Sequence, residues 1–323
     1  MKQIFVNENQ AGQRLDKLLL KILNKAPKSF IYKMLRKKNI ILNGKKAEGS
    51  EIVQSMDEIK LFLADETIDK FSLRIDSTIS QYDLDIIYED KNILIVNKPS
   101  GVLSQRANKR DFSMVENVIS YMLATKQITA QELQSFKPSI CNRLDRNTSG
   151  LIIAGKTLIG LQEIARIIRE RMLDKYYLCI VKGKLSERKE ITGYLVKDHL
   201  NNKVLISSKQ TDNSDYIATQ YEPLIFNDEY TLLRVKLITG KSHQIRAHLS
   251  SIAHPIIGDS KYGDRVINSY FESNYGLKAQ LLHSYRYVFP EMLGTLSNLS
   301  GKEFEAPEPE LFNKIRKQLL GNR

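Results

Sequence analysis

The sequence predicts an α+β protein in two parts, a small basic α/β unit at the N-terminus and a larger domain built on a mixed β-sheet. Three observations carry this reading. Residues 1–50 hold twelve Lys or Arg against Glu8, Asp16 and Glu48, so this short segment carries +9 of the formal +12 charge. From about residue 83, helix-period and strand-period segments interleave without a regular βαβ repeat, which favours a mixed sheet over a doubly wound one. A length of 323 residues with 42% hydrophobic content is enough for a buried core in each part.

The elements follow in order. From Arg14, the positions Leu15, Leu18, Leu19, Ile22 and Leu23 recur at helical spacing with Lys17, Lys21 and Lys25 between them, the pattern of an amphipathic helix. Pro27 is suited to open a second helix through "KSFIYKMLRKK", with Ile31, Met34 and Leu35 as its apolar stripe. "NIILNGKKA" predicts a strand entering an Asn43-Gly44 hairpin turn, and "EIKLFL" a further strand ending near residue 63. These elements bound a unit over 12–63. Residues 64–82 mix acidic, Ser and Thr residues with weak periodicity and read as a linker with room for one strand.

The larger domain is expected over 83–310. "DIIYEDKNILIVNKPSGV" predicts two short strands broken at Glu89 to Asn92 and ended by Pro99-Ser100-Gly101. A helix is expected through "SMVENVISYML" and a buried strand at "LIIAGK", followed by a helix with Leu158, Leu161, Ala165 and Ile168 along one face. "KYYLCIVKG" is a strand of aromatic and branched residues. In "YTLLRVKLITG", Leu233, Val235 and Leu237 alternate with Arg234 and Lys236, as in a half-buried strand, and "HQIRAHLSSI" predicts a short helix.

Composition then narrows the function. A basic excess attracts nucleic acid or an anionic membrane, and its concentration in one segment argues for a dedicated binding module. No apolar run approaches the length of a membrane span, and "MKQIFVNENQ" lacks the apolar stretch of a signal peptide. Cys141 and Cys179 are too few for a disulfide scaffold and too far apart for a short metal-ligand pair, so a reducing cytoplasm is expected.

Common catalytic motifs are mostly excluded. "TGKS" at 239–242 ends like a phosphate-binding loop, but Val235 stands where that loop needs its first glycine. His243 and His248 lack the Glu of a metalloprotease helix, and His199, His254 and His283 share no ligand spacing, so no metal is expected. What remains is "CNRLDRNTSG", where Asp145 lies between Arg143 and Arg146. Taken alone, an Asp in this setting is more often a structural ion pair than a nucleophile or base. It has no neighbouring second carboxylate for a glycosidase pair, although distant residues such as Asp259 could meet it in the fold.

Two resemblances sharpen these expectations. "QRLDKLLLKIL…APKSFIYKMLRKKNIILNGKKA" resembles an S4 domain, a small RNA-binding module of ribosomal proteins and rRNA-modifying enzymes. It implies RNA contact through Lys28, Ser29, Tyr32, Arg36, Lys37, Lys38 and Lys45, positioning RNA by its phosphates without reading its sequence. Further on, "NRLDRNTSGLIIAGK", "KYYLCIVKG" and "TGKSHQIRAHLSSIAHPIIGDSKYG" are similar, in order and spacing, to the three signature segments of RluA-type pseudouridine synthases. This resemblance spans about Asp83 to Pro290.

The second resemblance implies a pseudouridine synthase catalytic domain with Asp145 as its catalytic carboxylate. Arg143 would enter the RNA stack as the target nucleotide leaves it, Tyr177 would lie against the uracil, Ile245 would supply an apolar contact, and Arg246 would pair with Asp145. It implies isomerisation of specific uridines in 23S rRNA, closest to the RluC type. The alternatives are an RluD-type or tRNA-directed synthase, a non-catalytic ribosome-assembly factor that binds RNA, or a glycosylase that releases uracil. No cofactor is expected for a redox-neutral isomerisation, and the expected state is a cytoplasmic monomer, without membrane contact, acting on naked rRNA or an assembly intermediate. Attack of Asp145 on ribose C1′, attack on uracil C6 and removal of the C2′ proton stay open. In one departure, Asn142 stands where most relatives have His, which leaves local hydrogen bonding and substrate preference in question.

Overall fold

The computed structural model describes residues 1–72, 83–108, 111–130, 132–198 and 203–321. The N-terminal unit comprises Lys2–Phe5 (β1), Leu15–Ile22 (α1), Lys28–Arg36 (α2), Ile40–Leu42 (β2), Lys45–Lys46 (β3), Glu58–Leu61 (β4) and Asp65–Phe71 (α3). Its four strands pair in the order β1-β4-β2-β3. The apolar stripes of α1 and α2 close over Ile40, Ile59 and Leu61 to form a separate core. Asn43 and Gly44 take φ of 48° and 74°, the double-positive geometry of a tight hairpin turn.

Two features of this unit differ from the sequence expectation. β1 precedes the expected start at residue 12 and pairs antiparallel with β4 from Lys2↔Leu61 to Phe5↔Glu58. Four residues carry too little periodicity to announce a strand whose only support is a partner far along the chain. Helix α3 occupies the start of the expected linker because Ile68 buries in the N-terminal core and the Phe71 ring packs, tilted, with its centroid 4.4 Å from that of Phe30. Residues 73–82, the remainder of that linker, lie outside the described residues.

The larger sheet contains Asp85–Glu89 (β5), Ile93–Lys98 (β6), Ser139–Ile140 (β7), Ser149–Gly155 (β8), Asp174–Lys182 (β9), Lys189–Asp198 (β10), Lys203–Ser207 (β11), Ser214–Phe226 (β12), Tyr230–Leu237 (β13), Leu282–Val288 (β14) and Glu303–Glu305 (β15). Its order is β11-β10-β12-β13-β9-β14-β8-β6-β5, with β7 added to β8 and β15 to β14. Among the described residues β14 and β8 form its one parallel pair, so the sheet is mixed. Around it lie Met114–Ala124 (α4), Leu158–Arg169 (α5), Gln244–Ser251 (α6), Arg265–Tyr275 (α7) and Glu310–Leu320 (α8).

The β8–β14 junction depends on Gly150. Its φ is 110°, and a Cβ there would lie 2.2 Å from the Ser284 carbonyl oxygen, so only glycine lets the two strands close up. One face of the sheet buries Val96, Ile152, Cys179 and Val235, with Leu249 of α6 packed over them. The other face buries Ile95, Ile153 and Tyr287 against Ile164 and Ile167 of α5. The expected face of α5 holds at Leu158, Leu161 and Ile168, which are half-buried against the core, and is corrected at its centre and at Ala165. Gly160, Ile164 and Ile167 point inward while Ala165 is exposed, because Gly160 brings the helix so close to the Asn92 carbonyl that a Cβ would lie 2.3 Å from its oxygen. Ordered structure also continues past the expected limit at 310, since Phe312 and Ile315 of α8 bury against Ile180, Leu232 and Phe271.

His283 ties β14 to both of its sides. Its Nδ1 accepts from the Ser149 hydroxyl at 2.9 Å and its Nε2–H donates to the Ala306 carbonyl at 3.2 Å. Burial pushes the ring pKa down to about 4, against about 6.5 in an unfolded chain. Between these values the unfolded chain takes up a proton that the folded chain refuses, so this stabilisation is present above about pH 6.5 and is lost as pH falls to 4. Urea unfolding should show about 2 kcal/mol less stability at pH 5 than at pH 7 from this residue. In His283→Gln that difference should shrink by a comparable amount; an unchanged difference would assign the acid sensitivity elsewhere.

Candidate active site

The loop carrying Asp145 connects β7 to β8, and its backbone is clamped on both sides of that residue. On the N-terminal side, the Ser104 hydroxyl donates to the Leu144 carbonyl at 2.7 Å and accepts from the Leu144 N–H at 3.0 Å. On the C-terminal side, the fully buried Lys98 at the end of β6 donates to the carbonyls of Arg146, Pro99 and Val102 at 2.8–2.9 Å. All three ammonium protons are thereby satisfied. Burial pulls the Lys98 pKa down to about 7, with the nearby Asp145 charge working against the shift. Thr148 N–H closes the turn onto the Asp145 carbonyl at 3.0 Å.

The Asp145 carboxylate accepts from Nη1 of Arg246 at 2.6 Å. The same guanidinium turns its other edge to Asp259, donating from Nε at 2.7 Å and Nη2 at 2.9 Å in the two-pronged geometry that fixes an arginine plane. Asp259 is in turn held by the N–H groups of Lys261 and Tyr262 at 2.9 and 3.1 Å. Burial works to raise the Asp259 pKa, yet the hydrogen bonds and charge of Arg246, with those backbone donors, hold it below the usual carboxylate value. Tyr262 completes the frame, its ring 5.3 Å from the Arg246 guanidinium. A buried Asp259 thus orients Arg246, and Arg246 presents its Nη1 to one carboxylate oxygen of the half-buried Asp145. The two carboxylates meet only through the guanidinium, so no glycosidase-like pair forms.

Asp145 and Arg246 line a cavity of about 750 Å3, within the size range of small-molecule sites. Tyr177 and Lys175 reach it from one face of β9, two residues apart as strand alternation requires. Burial, reinforced by the Asp145 charge, pushes the Tyr177 hydroxyl up to about 12 against the opposing bonds from Ser284 and Tyr287, so it stays protonated at neutral pH. Ile245 and Arg246 come from the first turn of α6, and His243 caps that helix in a left-handed conformation. Arg143 is exposed at the cavity rim. The fold therefore brings Asp145, Arg246, Tyr177, Ile245 and Arg143 into one cavity.

Asn142 also has a defined task. Its Oδ1 accepts from Ile153 N–H and its Nδ2 donates to the Tyr287 hydroxyl, both at 2.9 Å. It pins the start of the Asp145 loop to β8 and β14, which answers the question of local hydrogen bonding that Asn142 raised in the sequence.

The remaining candidates lie on the N-terminal unit, outside this cavity. Lys28, Ser29, Arg36, Lys37, Lys38 and Lys45 are exposed around α2 and the hairpin. Tyr32 differs from them, because its hydroxyl donates to the buried Asp16 carboxylate at 2.7 Å and so holds α2 to α1. Sequence reasoning missed Lys98, Ser104 and the orienting role of Asp259. The only local signal for Asp259 is "GDSKYG", an Asp followed by turn residues whose N–H groups fold back on it.

Residues 92–251 match the sequence profile described as RNA pseudouridylate synthase, and residues 13–59 match that of the S4 domain. A Mycoplasma genitalium protein named as an uncharacterized RNA pseudouridine synthase is 30% identical over 94% of this chain and 95% of its own. The ribosomal large subunit pseudouridine synthase C of Salmonella typhi is 31% identical over 88% of this chain and 87% of its own. That of Vibrio cholerae is 28% identical over 88% of each. The solved structure of human RNA pseudouridylate synthase domain containing 4 has the same fold, with a TM-score of 0.57 at 21% identity, covering 72% of this chain and 92% of its own.

Proposed function

Because the chain belongs to the RNA pseudouridine synthase family and is an isomerase of that class, we propose that it converts specific uridines of large-subunit 23S rRNA to pseudouridine, as an RluC-type enzyme with Asp145 as catalytic carboxylate. The rRNA assignment is supported by relatives named for the ribosomal large subunit that match from the S4 region through the catalytic region. The assignment of Asp145 is supported above all by one observation: a single guanidinium, itself fixed by a buried Asp259, aims at the Asp145 carboxylate within a cavity walled by Tyr177.

The reaction breaks the bond between uracil N1 and ribose C1′ and forms one between C5 and C1′. N1 gains a proton and C5 loses one, so the atoms balance without an external reactant. A stacked base is out of reach of a carboxylate in a cavity, so the nucleotide must be extruded. Exposed Arg143 at the rim is suited to fill the vacated stack with its planar guanidinium. Tyr177 offers the detached uracil an aromatic face and a neutral hydroxyl, and Ile245 adds an apolar contact. Together they retain the base while it turns. Asp145 starts the reaction at C1′, at C6 or at the C2′ proton, and Arg246 holds it in a single orientation.

Unmodified 23S rRNA incubated with the full chain and treated with carbodiimide should give reverse-transcription stops at a few discrete uridines. Stops on tRNA and not on rRNA would overturn the substrate assignment. Release of free uracil would overturn the isomerase chemistry.

A further inference from the structure

A second cavity of about 730 Å3 adjoins the first and shares Lys175, Leu237, Gly240 and Lys241 with it, so the two form one continuous groove. Its walls carry Arg169, Arg171, Lys175, Arg188, Lys236 and Lys241 against Asp174 and Glu190. Some of these cations are already engaged. Lys236 pairs with Asp174 and Lys241 with Asp215, each at 2.6 Å. Arg171, Lys175 and Arg188 have no carboxylate partner among the described residues, and Arg188 bonds only the neutral Gln220.

Lys175 is the informative member. It lies on the same face of β9 as Tyr177, lines both cavities, and is half-buried with no charge facing it from the neighbouring strands to offset its own. Leaving a cation desolvated is costly unless a counter-charge arrives. An exposed row of lysines is an ordinary solvated surface, whereas a half-buried lysine at the joint of two cavities is not.

Building on the reading of the chain as an RNA-modifying enzyme, we propose that this groove carries the phosphodiester backbone flanking the target uridine, with Lys175 on a phosphate beside the extruded nucleotide and Arg171 and Arg188 on phosphates farther along. The groove is a second RNA contact, separate from the basic face of the N-terminal unit. It fixes the strand where it enters the catalytic cavity, and Lys175 acts as a positioning residue at that point.

The test is binding of the full chain to a fluorescein-labelled 20-nucleotide oligouridylate, followed by anisotropy across a salt series. Arg171→Asn with Arg188→Gln removes two exposed cations, and Asn suits the left-handed backbone at 171, where φ is 59°. Each phosphate contact on a single strand contributes about 0.7 to the slope of log affinity against log salt, so the pair should lower the slope by about 1.4 and the affinity by roughly tenfold. Lys175→Gln should lower both in the same direction and raise KM more than it lowers kcat, with Lys175→Arg restoring them. Lys278→Gln with Lys317→Gln, exposed cations outside the groove, should change neither. An unchanged slope and affinity in the Arg171/Arg188 variant would overturn the proposal, as would an equal loss in the Lys278/Lys317 control. Pseudouridine formation is read separately, so an unaltered protein that makes no product counts against the proposed substrate and leaves the binding comparison to decide the groove.

Discussion

Asp145→Asn should lower pseudouridine formation by about 10³-fold or more, since it removes the carboxylate proposed to begin the reaction as nucleophile or base. The substitution is nearly isosteric and keeps an acceptor for Arg246. That arginine remains held by Asp259, so the site should not rearrange. RNA affinity and its salt dependence should therefore stay within about twofold of the unaltered protein, because the cations proposed to meet phosphate are untouched. Tritium release from RNA labelled at uracil C5 reports the step that every version of the mechanism shares, loss of the C5 hydrogen. A variant that releases tritium at more than a tenth of the normal rate would remove Asp145 from the centre of the mechanism.

Replacing Arg246 should have two separable consequences. Arg246→Met leaves Asp259, whose side chain has no exposed surface, as a buried carboxylate with only backbone donors. Breaking a buried pair in this way costs about 3–5 kcal/mol, which corresponds to a fall in Tm of roughly 10 °C. It also releases the Asp145 carboxylate from its fixed orientation, so turnover should fall with stability. Adding Asp259→Asn removes the stranded charge and should recover much of the stability, yet activity should stay low because Asp145 still lacks its donor. Urea unfolding and tritium release on the single and double variants measure the two effects independently. Recovery of activity alongside stability in the double variant would reduce Arg246 to a structural role.

Much of the fold was legible in the sequence where structure is local. The stripe from Leu15 to Leu23, the Asn43-Gly44 turn and the alternation through Leu233 and Val235 each lie within a window of several residues, and each formed as read. The sequence motifs also named Asp145, Tyr177, Ile245 and Arg246 as candidates, and the fold gathers them in one cavity. What stayed hidden depended on partners distant along the chain. β1 exists only through its pairing with β4, and the close approach of Gly160 to Asn92 put Ile164 and Ile167 at the centre of the buried face of α5, with Leu158, Leu161 and Ile168 at its edges.

The candidate site divides along the same line. Sequence by itself determined which residue types are present: a carboxylate flanked by arginines, an aromatic strand and a basic N-terminal module. Only the tertiary structure decided that Arg246 reaches Asp145 across 101 residues, that Asp259 orients the guanidinium and does not pair with the other carboxylate, and that Lys98 and Ser104 grip the loop from either side. The physical reason lies in the β8–β14 junction. Side-chain periodicity and turn preference act over a few residues, whereas the site is assembled by a parallel strand pair that needs Gly150 to let two backbones meet, and no local pattern records which distant strand will close that gap.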